Sequence, residues 1–323
     1  MITLISPGDI IDLSEKIRLR GLGYLARRLS FSSSDRIRAA WDNTGSHPTN
    51  WWNIPLIRRR WNALISGDPD IDYPVHVMKH HLSGRKGLRM LSPGCGHGSK
   101  ELRFAAFEAF NQIEGFDLSP RSIATAREAA RNEGHGNVRF CVGNAHDFSY
   151  GQEQWDMVLF DSSLHHVRHL KKVLNAVCDS LTPDGILVIN EYVGPNRLQF
   201  PKEQLNAAVE ALRSLPAIRR TRWQSTRVKT SIYRSGFLRT VLADPSEAVC
   251  SEAILPEVKK RFRLIEERPY GGNILALVLK DIAHHFFGED PETETLLTRL
   301  FTIEDNYLRE HASDHLFAVY CRR

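Results

Sequence analysis

Between residues 88 and 191 short apolar runs alternate with stretches whose apolar positions recur at helical spacing, the pattern of βα units feeding a parallel sheet. Five strands are placed at 88–92, 112–117, 138–142, 155–161 and 186–191, with helices at 122–132 and 170–181. Pro183-Asp184-Gly185 is read as the turn into the fifth strand. Ahead of this core, residues 1–80 show no strand pattern, while 54–65 and 73–82 each have amphipathic helical spacing. After Glu191 the alternation stops, and Pro195, Pro201, Pro216, Pro245 and Pro256 punctuate a long insertion. A strand candidate follows at 262–266. Asn273 then reads as the N-cap of a helix running through Phe286, with a second helix at 292–308 and a last strand at 316–321. The expected architecture is α/β, with an N-terminal helical cap over residues 1–82 and a sheet domain over 83–323. That domain is expected to carry a helical lid at about 195–260 and helices at about 273–310.

Composition leaves this picture unchanged. The 323 residues are 42% apolar and 25% charged, as in an ordinary globular protein. Asp9, Asp12, Glu15, Lys16 and Arg18 interrupt every apolar run near the N-terminus, so neither a signal-peptide core nor a spanning helix is drawn. A cytoplasmic location without a membrane partner is expected. The five cysteines are far apart and form no CxxC pair, which disfavours a disulfide framework and a zinc knuckle. The net charge of +5 is concentrated in runs at 58–60, 219–222 and 259–261. These read as solvated helix faces, with nucleic acid, a phosphorylated substrate or an acidic surface as the alternatives. Trp51 and Trp52 read as packing anchors rather than substrate platforms, and 30–34 as a surface loop.

The candidate chemistry begins where the first strand ends. Pro93 is followed by Gly94-Cys95-Gly96-His97-Gly98, which opens a helix near Lys100. A glycine turn lets backbone N–H groups approach a ligand, and the helix N-terminus favours a carboxylate. Dinucleotide sites want GxGxxG to seat a pyrophosphate, whereas here glycine stands at 94, 96 and 98 and serine at 99. The loop therefore reads as a seat for S-adenosylmethionine (SAM). The second strand ends at Asp117, about twenty residues on, where an acid can take both ribose hydroxyls; its alternative is a turn aspartate capping the next helix. Asn144, after the third strand, is placed at an adenine edge or simply in its own turn.

With Leu164-His165-His166 after the fourth strand, the core resembles the class I SAM-dependent methyltransferases. A narrower likeness, from about residue 51 onward, is to a bacterial subgroup carrying Glu191-Tyr192-Val193-Gly194-Pro195 after the fifth strand. The resemblance implies a Rossmann-like, seven-stranded mixed sheet whose last two strands form an antiparallel edge. It also implies that Gly94, Cys95, Gly96, Gly98, Asp117 and Leu118 contact SAM, together with Asn144, Ala145, Asp161 and Ser162.

Methyl transfer is an in-line displacement, and an alcohol acceptor needs a base where a neutral amine does not. His166 is the preferred base, His165 the alternative, and both could instead pack on the adenosine or cap the following helix. Glu191 is placed to orient a hydroxyl or take its proton, or else to bond donors in the Gly194-Pro195 turn. Tyr192, Asn196, Arg197, Gln199 and Tyr270 are the acceptor-binding candidates. No metal is expected: Asp161, His165, His169 and Glu191 do not single out a site, and His80-His81 and His284-His285 lie outside the core. The expected activity is O- or N-methylation of a small metabolite or a glycan or natural-product precursor. Its rivals are an RNA or other macromolecular methyltransferase and a catalytically silent SAM-binding protein. A small-molecule acceptor is the expected partner, nucleic acid is the lesser reading, and a homodimer is compatible with the sequence.

Overall fold

The structure is a computed structural model and describes residues 2–20 and 50–323. The loop expected at 30–34 lies outside the described residues, as do residues 46–49. Seven strands form one sheet: β1 Leu88–Pro93, β2 Phe110–Asp117, β3 Val138–Val142, β4 Trp155–Asp161, β5 Leu181–Tyr192, β6 Phe262–Gly271 and β7 His315–Arg322. Their order is β3-β2-β1-β4-β5-β7-β6. The first five pair in parallel, and β7 runs antiparallel to both its neighbours, β5 and β6. The last two strands of the chain thus form the expected antiparallel edge, in which β7 alone is reversed and β6 points the same way as the rest. Order reverses between β1 and β4, whose carboxyl ends open the crevice where such sheets hold ligands.

The central strands are buried on both faces, so period-2 alternation sorts their apolar residues between two layers. Val158 and Phe160 of β4 join Leu187 and Ile189 of β5 on one side; Met157 and Leu159 join Ile186 and Val188 on the other. The first layer is closed by the helix Leu170–Ser180, whose Leu170, Val173, Leu174 and Val177 fall on one helical stripe. Tyr73 and Val77 of the helix Tyr73–His80 close the second layer with Phe104. A third cluster joins the two sequence regions expected to form caps. Trp51, Ile54 and Ile57 pack with Ala208 and Leu212 of the helix Lys202–Arg213 and with Leu297 and Leu300 of the helix Pro291–Leu308. Residues 51–57 thus share a core with the inserted helices.

Three local readings change. Residues 183–185 do not precede β5 but bulge within it, because Trp155 already pairs with Leu181 before the register shifts and Met157 meets Ile186. No helix runs from 273 to 286. Asn273 spends its amide on Ala312 O and Asp314 N, while buried Glu304 caps the short helix Leu275–Leu279 by accepting from Ile274 N at 2.9 Å and Leu275 N at 3.1 Å. That helix stops where the buried Lys229 ammonium donates to the carbonyls of Leu277, Val278 and Lys280, just before Asp281 turns to φ +69°. Finally, β6 runs on to Gly271, past the expected end at 266. Among the described residues no helix is long and apolar enough to cross a membrane. The basic runs are largely ion-paired within the chain, Arg60 with Asp305, Arg222 with Asp281, and Arg261 with Glu257.

Candidate functional site

The loop after β1 is shaped by its glycines for different reasons. Gly94 has φ +74°, and a Cβ there would lie 2.6 Å from Ser163 Cβ, so glycine lets the β4 exit press against the loop. Gly98 has φ +79° and caps the helix Ser99–Ala105; a Cβ there would meet the Phe140 ring at 2.5 Å. Gly96, at φ +54°, faces open space. A Cβ there would meet no atom of the described residues within 4 Å, which leaves room for a ligand against the backbone.

Beyond this loop lies a cavity of about 390 Å³. Gly94, Asp117, Leu118, Asn144 and Ala145 line it from the strand ends, and His166 from the segment after β4. The insertion roofs it with Pro245, Ser246 and Val249. Asp117 is buried, accepting from Gly96 N at 3.1 Å through Oδ2 and from Ser119 N at 2.8 Å through Oδ1. It does not cap the next helix; Ser119 does, through Ser122 N. Asn144 lines the cavity from a turn of its own making, accepting from His146 N and donating to Asp147, which leaves one N–H and one lone pair of its amide for a ligand edge. Cys95, Gly96 and Gly98 build the loop without lining the cavity. Nor do Asp161 and Ser162; Ser162 turns the chain at φ +52°.

The two histidines are tuned in opposite directions. Glu191, fully buried, accepts from Ser163 N and Leu164 N at 2.6 Å each through one oxygen and meets His165 Nδ1 at 2.7 Å through the other. Burial works against the charged form of His165, but Glu191 outweighs it and raises the imidazole above its ordinary value. His166 is driven well below that value, first by burial and then by His165 beside it. His166 Nδ1 lies 3.1 Å from Ser246 Oγ, which itself donates to Asp244 at 2.6 Å. Because that hydroxyl proton goes to Asp244, the serine oxygen accepts from Nδ1–H, which leaves Nε2 as the basic nitrogen. Glu191 therefore fixes the 163–165 segment and does not bond the Gly194-Pro195 turn, while His165 stands behind the cavity wall formed by His166.

The five residues expected at the acceptor do not line this cavity. Asn196 bonds Glu252 and Ser251, Gln199 bonds Thr3, Arg197 and Ser235, and Tyr192 donates to Pro195 O. Arg197 donates to Pro245 O at 2.8 Å and Glu247 O at 3.0 Å, and so holds the roof rather than a ligand. Tyr270 donates to Asn190 at 2.8 Å, in a second polar cluster near the same strand ends. There Tyr73 donates to Asp161 at 2.5 Å, and Lys100 lies 3.9 Å from Asp161 and above the Tyr73 ring. Beside it Glu101 accepts from Ser92 at 2.5 Å, and burial pushes its carboxyl up to about 7. Sequence reasoning missed Tyr73, Lys100, Glu101 and Ser246. Only Lys100 and Glu101 had a visible signal, their place in the first turn after the glycine loop.

Comparison with known proteins bears on what this arrangement does. A family model described as a methyltransferase domain matches residues 85–236. The ubiquinone biosynthesis O-methyltransferase of Cereibacter sphaeroides is 32% identical over 103 residues, 32% of this chain and 40% of that protein. The demethylmenaquinone methyltransferase of Geobacillus kaustophilus is 25% identical over 142 residues, 44% of this chain and 60% of that protein. The chain thus spans less than two thirds of the length of either curated relative. Among solved structures, Haemonchus contortus phosphoethanolamine N-methyltransferase 2 superposes with a TM-score of 0.52 at 19% identity, covering 88% of this chain and 60% of that one. The likeness to that structure is one of fold.

Proposed function

The chain carries a class I S-adenosylmethionine-dependent methyltransferase domain, and from that premise we propose that it methylates an oxygen or nitrogen of a small-molecule acceptor. The observation that carries this reading is the roofed cavity, which joins a glycine-loop cradle, a buried carboxylate and a neutral imidazole under one inserted segment. The cradle fits the cofactor: Gly96 leaves open space at the loop, and Asp117 offers a carboxylate at the cavity wall. When bound, SAM supplies an electrophilic methyl carbon on a sulfonium.

The chain's own residues then have distinct tasks. Asp117, held by two backbone donors, would accept from the ribose hydroxyls of bound SAM, and the loop backbone would hold its carboxylate. Nε2 of His166 takes the acceptor's proton as the new bond forms, while Ser246 and Asp244 keep the other nitrogen protonated. Glu191 holds the segment that carries both histidines, and Arg197 holds the segment over the cavity. The cluster of Tyr73, Lys100 and Asp161 lies outside this cavity, near the same strand ends, and is given no part in the transfer.

The named activities of the relatives, which concern quinone precursors, norajmaline and phosphoethanolamine, support a small acceptor. The basic runs, paired within the chain, give the RNA alternative little to stand on. The test is release of S-adenosylhomocysteine by the purified full chain, with SAM and either fractionated small-molecule extract of its host or bulk RNA. Product release with an extract fraction is expected. Methylation of RNA with none of the extract would overturn the small-acceptor reading, and SAM binding without release on either would favour a silent SAM-binding protein. His166→Ala should lower turnover by about 10²–10⁴ with SAM affinity nearly intact; unchanged turnover removes His166 as the base.

A further inference from the structure

One point on the sheet edge breaks the burial rule. The β6 ladder to β7 slips between Leu264 and Glu266, so that Ile265 is an extra residue. Leu264 and Ile265 are 42% and 45% exposed, yet the Glu266 side chain is only 13% exposed. Hydrophobic burial alone would choose the reverse, and bulges commonly re-aim a side chain toward a site. What Glu266 meets there is a pair of imidazoles. His76 Nε2 lies 2.9 Å and His81 Nε2 2.7 Å from the same oxygen, Oε2, and both side chains are nearly buried. Arg268 donates to the other oxygen at 2.8 Å, so the carboxylate has a cationic partner without either histidine carrying charge.

Two imidazole nitrogens and a carboxylate oxygen, all within 4.8 Å of one another, are the donor set of a borderline divalent ion. Zinc bound by such ligands would set neighbouring donor atoms about 3.3 Å apart, a few tenths of an ångström beyond the 2.7 and 2.9 Å seen here. We infer that His76, His81 and Glu266 form a zinc-class metal site that clips the helix Tyr73–His80 to the edge strand β6. The three side chains leave a fourth position to solvent, and none of them lines the cavity, so the ion's part is to tie helix to strand rather than to take part in methyl transfer. The sequence reading set His81 aside with His80 because neither sits in the βα core; only the bulge brings the carboxylate to it.

The test uses the chelator-treated full chain with CoCl₂ or ZnCl₂ alone. One equivalent of cobalt should bind with the visible band of a low-coordinate site, and zinc should displace it. At a hundredfold excess of zinc over its Kd the melting midpoint should rise by about 4 °C. His81→Gln keeps a donor for Glu266 but should lose both the band and the shift, and Glu266→Gln should do the same. Asp244→Asn, in the separate cluster of His166, Asp244 and Glu247, should keep both. Absence of binding by the wild type overturns the site. So does a band that survives His81→Gln and Glu266→Gln, or one that Asp244→Asn abolishes.

Discussion

Replacing Glu101 by glutamine gives the sharpest check on the electrostatics beneath the glycine loop. Glu101 is 1% exposed; one oxygen accepts from Ser92, and the other has no partner among the described residues. Burial carries its carboxyl from 4.5 to about 7, the Ser92 hydrogen bond opposing the rise. Because the folded value is raised, the native state keeps a proton that the unfolded chain gives up above about pH 4.5. Stability is therefore lost as pH climbs from there and stops falling above about 7. The displacement corresponds to about 3 kcal/mol. Glu101→Gln retains the oxygen that accepts from Ser92 and does not titrate. Its stability relative to wild type should thus improve by about 3 kcal/mol between pH 4.5 and pH 8, whatever constant offset the amide nitrogen introduces. Urea unfolding of the ligand-free protein at several pH values measures this difference directly. Two parallel profiles would show that the carboxyl is not displaced, and the burial argument would fail.

Four other outcomes follow from the geometry of the site. Gly98→Ala should destabilise by about 2–4 kcal/mol, since it strains a left-handed residue and drives a methyl into Phe140. Gly96→Ala should lose only about 1 kcal/mol while weakening S-adenosylhomocysteine binding in calorimetry; equal losses of stability would refute the distinction. Glu191→Ala leaves two backbone donors and a raised histidine unpaired in the core, and should lose about 3–5 kcal/mol by chemical denaturation at pH 7. Since burial and His165 hold His166 neutral well below the ordinary histidine value, the acid limb of kcat/KM should fall below pH 6.5. A limb at or above 6.5 would count against His166 as the base.

The central strands were legible because they are apolar on both faces. Trp155–Asp161 falls on its expected bounds for this reason, whereas Val138–Val142, of which only Phe140 is buried, is marked off by Gly136-Asn137 before it and Gly143-Asn144 after it. Asp117 and Gly94 could be placed because a turn at a strand end limits where a side chain can go. Asn273 misled because asparagine is a good cap, while the actual cap, Glu304, comes from the next long helix, about thirty residues on. The acceptor candidates failed for a related reason. Asn196, Arg197 and Gln199 follow a strand at the ligand end of the sheet, yet their partners lie in residues 245–252, 235 and 3, contacts that no local pattern encodes. Tyr73 reads as one more apolar helix position until its hydroxyl is seen on Asp161.

The place of β7 between β5 and β6 has a consequence for how the protein is made. As the chain leaves the ribosome, β5 is complete at Tyr192, but its neighbour begins only at His315. At ordinary elongation speeds the interval is roughly 6–25 s. Throughout it the flank of β5 destined for β7 has no strand to pair with, and β6, once made, has no place to dock. Those seconds are when the nascent chain is open to chaperones and to joining another copy by the same edge, and arrival of residues 315–322 ends them.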